Sequence, residues 1–162
     1  MALCPLYFHY HQSAPAAELI QRGPIMNIQV QSIAVLIARA LMALIFILAG
    51  LGKIGALAAT AAYMEAMRVP AILLWPTIAF EVGAGILVLV GYQTRIAAAL
   101  LAGFCLATAA LFHTQFGDQI QMIMFLKNLA MAGGFIVLAM HGPGRFSLDA
   151  CRCKDRSHPA GS

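Results

Sequence analysis

The stretch Ile33-Ala-Val-Leu-Ile-Ala-Arg39-Ala-Leu-Met-Ala-Leu-Ile-Phe46-Ile-Leu-Ala-Gly50-Leu-Gly52-Lys53-Ile54 decides the fold. Its body holds one charge, Arg39, and as a helix rising about 1.5 Å per residue it can cross a hydrocarbon core of about 30 Å. Period-2 alternation is absent and Ala, Leu and Ile dominate, so a strand does not compete. Three more runs repeat the pattern. Residues 71–92 carry Glu81 near the middle, 96–116 carry His113 near the end, and 119–140 carry Lys127-Asn128.

Composition points the same way. Of 162 residues, 62% are hydrophobic and 10% charged, with a mean hydropathy of +0.85. Ordinary soluble domains have roughly 45–50% apolar and about 25% charged residues. A soluble enzyme, a nucleic-acid-binding module and a disordered regulator are therefore poor fits. The connections at 91–95 and 115–118 are short, so runs two, three and four are antiparallel neighbours. The connection at 55–70 is longer. Its core, 56–67, lacks a breaker and predicts a short helix in the interface, ended by Pro70. The expectation is an all-α integral membrane protein, a four-helix up-down bundle over 31–150. A tail over 1–30 is read as disordered or as an early start, with Met26 the alternative to Met1; a second tail covers 151–162. No secretory signal pattern opens the chain.

Basic residues set the orientation. Arg22, Arg95, Arg145, Arg152, Lys154 and Arg156 fall on one side and Lys53 and Arg68 on the other, which places both termini in the cytoplasm. The net charge of +4 thus reports topology, not nucleic acid.

A charge at bilayer depth costs roughly 2.5–3.5 kcal/mol even on the mildest scale, so it must face a partner or a cavity. Counting from the run ends puts Glu81 near the midplane, Arg39 about 6 Å to one side and Lys127 about 4–5 Å to the other. Arg39 is expected to pair with Glu81, and Lys127 to reach the same carboxylate. Helical spacing lines Arg39, Ala43, Phe46 and Gly50, continuing to Lys53, on one face. Thr77, Glu81 and Gly85 line a second, and Gln121, Asn128 and Met131 a third beside Lys127. Small residues at Ala79/Gly83, Ala99/Gly103/Ala107 and Ala130/Gly134 predict close helix approach. Run three, with no central charge, is expected to face lipid most. Two readings of the charges stay open: an ion-pair network fixing helix register, or a polar pocket for a quinone head group, a small anion or a proton. Two cations to one carboxylate favour an electron-rich oxygen over a metal ion.

His113 is either a satisfied interface histidine or a proton-exchange or quinone-binding group. A bis-histidine haem is not expected, because His113 and His141 lie at opposite faces. Cys105 reads as packing. Cys151 and Cys153 are a plain tail or a reactive pair, and two thiolates alone do not complete a zinc site.

The ordered residues resemble the DoxX family of small four-helix bacterial membrane proteins. The resemblance runs from Arg39 through Phe46, Gly50, Gly52 and Lys53 to Tyr63-Met64 and Val69-Pro70. It continues through Glu81-Val-Gly83-Ala-Gly85, Gly91-Tyr-Gln-Thr94-Arg95 and Phe125-Leu-Lys127-Asn128 to Gly133-Gly134. It closes on Gly142-Pro143-Gly144-Arg145-Phe-Ser147-Leu148-Asp149, the most specific piece. It implies a bacterial inner-membrane location and highlights Arg39, Glu81, Lys127 and Asn128. Segments 50–53 and 142–149 are expected to be structural, with Asp149 pairing Arg145 across a turn. The implied function is a quinone-interacting subunit of a membrane oxidoreductase. Glu81 would exchange or hold a proton, Arg39, Lys127 and Asn128 would bind the quinone oxygens, no cofactor would be covalently bound, and soluble redox proteins or a reduced substrate would supply electrons. The alternatives are a scaffold anchoring soluble redox or stress enzymes, and a small transporter built as a homo-oligomer.

Overall fold

A computed structural model describes residues 28–157; Arg22, Met26 and the rest of 1–27 lie outside the described residues. The chain forms α1 (Ile28–Gly55), α2 (Leu57–Ala66), a 3-10 turn (Ala71–Leu73) running into α3 (Leu74–Val90), α4 (Thr94–Phe112), α5 (Gln119–His141) and α6 (Leu148–Ser157). α1, the turn with α3, α4 and α5 are each long and apolar enough to cross a membrane. No strand occurs among the described residues. α1 packs on α3 and α4 on α5, and contact between α3 and α4 joins the two pairs. The expected four-helix up-down arrangement is therefore present.

Local chemistry fixes the ends. Pro76 lies in the first turn of α3, where no intrahelical donor is required. α3 stops at Gly91, whose φ of 76° is left-handed. A methyl group there would lie 2.5 Å from Ser147 Cβ and 2.8 Å from Arg39 Nη1, so conformation and space both require glycine. α4 starts at Thr94 and ends at Phe112, short of residue 116, because His113 leaves helical geometry at φ −130°. Where a plain C-terminal tail was expected, α6 forms, and Ser147 Oγ accepts a hydrogen bond from Ala150 N at 3.2 Å as its cap.

The short helix between the first two spans is also present, stapled to one end of the bundle. Met64 is buried with Leu74 and Ile78. The Tyr63 ring stacks on Phe112 at 5.8 Å, and its hydroxyl donates to Phe112 O at 3.3 Å. The main core gathers Ala43, Phe46, Ala84, Val88, Leu101, Cys105, Ala132 and Phe135 between the four long helices.

Two packing expectations are corrected. α4 is not the most lipid-facing helix: Ala97, Ala98, Leu101, Ala102, Cys105 and Ala109 are all buried. Lack of charge did not imply lipid contact, because small apolar residues are what a tight helix interface in a membrane uses. Conversely Ala79, Gly83, Ala99, Gly103, Ala107 and Ala130 are exposed. Of the expected positions only Gly134 is tight, 3.0 Å from Met42 Cε for an added methyl; the closest approaches are at Gly50 and Gly85, where a methyl would meet Val82 Cγ2 at 2.6 Å and Ile47 Cγ1 at 2.9 Å. These two glycines set the register of α1 against α3.

Candidate functional site

That register decides which charges meet. Gly50 lies against Ile78, Glu81 and Val82, while Ala43 and Ile47 lie against Gly85. Glu81 is therefore level with Gly50, eleven residues or about 16 Å along the axis from Arg39. Its partner is Lys53, whose Nζ donates to Oε1 at 2.9 Å and Oε2 at 2.7 Å. Side chains on a helix lean toward its N-terminus, so Lys53 bends back from the end of α1 into the span. Its ammonium lies 3.5 Å from Ala49 O, one turn earlier. The Lys53 side chain is 25% exposed and that of Glu81 5%. This is the one ion pair among the described residues, with the lysine at its more accessible end.

Arg39 does something else. It is 2% exposed, and its guanidinium donates from Nη1 to Pro143 O at 2.8 Å and from Nη2 to Phe146 O at 2.7 Å. Its Nε is buried without a hydrogen-bond partner. The expected Arg39–Glu81 pair does not form; the arginine instead fastens the 142–147 loop over the end of the bundle. Asp149 does not pair with Arg145 either. Its carboxylate accepts from Gln93 N at 2.8 Å and from Thr94 N and Thr94 Oγ1 at 3.0 and 3.1 Å, capping α4 from the first turn of α6. Asp149 N in turn donates to Gly91 O at 2.9 Å. Three segments distant in sequence are thereby tied into one latch.

Lys127 does not reach Glu81. It is exposed on the outer face of α5 among Ile123, Leu126 and Leu129, with Nζ 3.2 Å from Met124 Sδ. Its neighbour Asn128 is buried; Nδ2 donates to Met124 O at 2.9 Å and Oδ1 accepts from Thr108 Oγ1 at 3.3 Å, which joins α5 to α4. His113 Nδ1 lies 2.8 Å from Gln121 Oε1, so it donates in the tautomer carrying its proton there. The histidine thus links the end of α4 to the start of α5. Cys105 is buried and Cys151 exposed, both as free thiols, and no group of metal-ligating residues occurs among the described residues.

The residue missed as a partner was Lys53. Its place on the Arg39–Gly50 stripe was visible, and the backward lean of helical side chains is the signal that brings it into the span.

Between α3 and α4 lies a groove of about 430 Å³, lined by residues including Pro76, Thr77, Phe80, Gly103 and Phe104. Thr77 precedes Glu81 by one turn on the same face of α3. Phe80 and Phe104 meet at 5.2 Å, and Phe104 leads on to Phe46 at 6.2 Å.

Four apolar crossings closed around a buried ion pair define a multi-pass integral membrane protein. The DoxX family profile matches residues 34–114. Inner membrane protein YqjF of Escherichia coli (strain K12) is 47% identical over 121 residues, covering 75% of this chain and 93% of the relative. Inner membrane protein YphA of the same organism is 40% identical over 121 residues, covering 70% of this chain and 86% of the relative. No solved structure is significantly similar. The chain belongs to the DoxX family and is a multi-pass inner-membrane protein.

Proposed function

We propose that the protein is a quinone-interacting subunit of a membrane oxidoreductase, with the Lys53–Glu81 pair handling the proton and the α3–α4 groove receiving the carrier. The observation that carries this reading is the pair itself, a deeply buried carboxylate held by a lysine that keeps partial access to its surroundings. Ionisable groups inside membrane spans commonly mark proton or substrate pathways. The groove gives an apolar ring and tail a place against Phe80 and Phe104, with Thr77 as a polar contact. Glu81, one turn from the groove residue Thr77, would take or release the proton, and Lys53 would hold its charged form. Electrons would come from a soluble redox partner. Arg39, Lys127 and Asn128, expected to share this task, have the partners described above and play no part in the proposed site.

Trp75 provides the test. It is the single tryptophan of the chain and is exposed on α3 beside the groove residue Pro76. Titrating a short-chain quinone into the protein in lipid nanodiscs should give saturable quenching of Trp75 above the linear component from partitioning. Gly103→Leu, which fills the groove, should remove the saturable part, and Glu81→Gln should alter its dependence on pH. Purely linear quenching in the native protein would sink the proposal.

A further inference from the structure

A second site lies at the opposite end of the bundle from α2. There the first turns of α1 and the 142–147 loop enclose a groove of about 320 Å³, lined by Gln29, Ser32, Arg145 and Phe146. We propose that this groove binds an anionic phospholipid of the surrounding leaflet, with Arg145 on the headgroup phosphate and Phe146 against the glycerol and upper acyl chains.

Charge is the first argument. Arg95, Arg145 and Arg152 lie at this end, and Asp149 is the one carboxylate there among the described side chains. That carboxylate is already occupied by Gln93 and Thr94. Arg152 lies 5.2 Å over the Tyr92 ring, whereas Arg145 is exposed and has no hydrogen bond or ion pair with another described residue. Arg95 is likewise exposed, but of the three arginines only Arg145 lines this groove, so it is the guanidinium that an anion in the groove would meet. A guanidinium fork matches a phosphate well.

Position is the second argument. Phe146 and Leu148 are 52% and 49% exposed on the segment that carries Arg145. Apolar side chains beside a basic residue at the end of a span suit the boundary between headgroups and acyl chains. Below the groove, Ile33 and Ile37 continue the outward apolar face of α1. Ser32 is buried and donates to Ile28 O at 2.8 Å, forming a small floor rather than a competing donor. A groove with a cation at its mouth and apolar walls is complementary to a lipid whose charge is negative. A zwitterionic headgroup offers less, because its own ammonium meets the same basic surface.

Native mass spectrometry of the purified full chain, offered equal amounts of phosphatidylglycerol and phosphatidylcholine with identical acyl chains, tests this. Retention of phosphatidylglycerol should exceed that of phosphatidylcholine by about fivefold, the effect of roughly one surface cation on an anionic lipid. Arg145→Gln should remove most of that preference and Arg145→Lys should keep it. Arg68→Gln at the far end should leave it unchanged. Arg145 is exposed, so these variants are expected to fold, and circular dichroism will check that. The proposal is overturned by equal retention of both lipids, by a preference that survives Arg145→Gln, or by equal loss in Arg68→Gln. It is also overturned if inorganic phosphate displaces the lipid, or if a second copy or another protein covers Arg145 in the lipid-bound particle.

Discussion

Lys53 and Glu81 are each other's solution to a cost neither could bear alone. Removing one partner of a buried pair leaves an uncompensated charge, worth about 3–5 kcal/mol. Glu81→Leu and Lys53→Met should each destabilise the bundle by that order in unfolding measurements in mixed micelles. The double substitution should recover most of the loss, since two apolar side chains leave no charge behind. A double variant as unstable as the sum of the singles would show that the pair is not an isolated unit. Lys127 behaves oppositely. It faces outward among lipid-facing side chains, so Lys127→Leu should leave the fold intact and stabilise it by about 1–3 kcal/mol by removing an intramembrane charge. Had Lys127 been tied to Glu81, the same substitution would destabilise.

Between elements, stability depends on where backbones can approach. Gly50→Ala forces a methyl to 2.6 Å from Val82 Cγ2 at the α1–α3 seam. Overpacking of this kind costs about 1–3 kcal/mol. Gly83→Ala has nothing within 4 Å and should be neutral, so the two variants measured side by side test the register directly. The spans, their up-down order and the stripe from Arg39 to Lys53 could all be read in the sequence, because length and 3.6-residue periodicity determine them. The pairing of charges could not. Depth counted from run ends erred because α1 and α3 are offset along their axes: Gly50, not the middle of α1, is level with Glu81, and Arg39 reaches Gly91 at the far end of α3. Small-residue spacing was likewise ambiguous, since Gly83 and Gly85 differ only in which side of α3 they face. A structural role for 142–149 was expected but its partner was not: Arg39 is satisfied by the carbonyls of Pro143 and Phe146, and any residue supplies a carbonyl. Asp149→Asn weakens the other half of that latch. It should cost about 0.5–2 kcal/mol, as loss of a helix cap does, and fray the start of α4 in hydrogen exchange.

For the whole molecule, the same geometry sharpens the argument for orientation. An even number of spans puts the start of α1 and the end of α5 on one side. Arg95, Arg145 and Arg152 lie there, with Lys154 and Arg156 following along α6. The other side was credited with Lys53 and Arg68, but Lys53 is turned into the span onto Glu81 and is not a loop charge. Only Arg68 remains near that face among the described loop and α2 residues. The bias that retains basic segments in the cytoplasm acts on residues near the span ends, so the corrected imbalance is steeper than a count along the sequence suggests. Cys151, an exposed free thiol in α6, is therefore expected on the cytoplasmic side. In spheroplasts, a membrane-impermeant maleimide should label it only after lysis. Thr114→Cys, exposed between α4 and α5 and made in a background with Cys4, Cys151 and Cys153 replaced by serine, should label before lysis. The reverse pattern would invert the protein and assign the Arg145 groove to the outer leaflet, where the basic bias gives no reason for it to be.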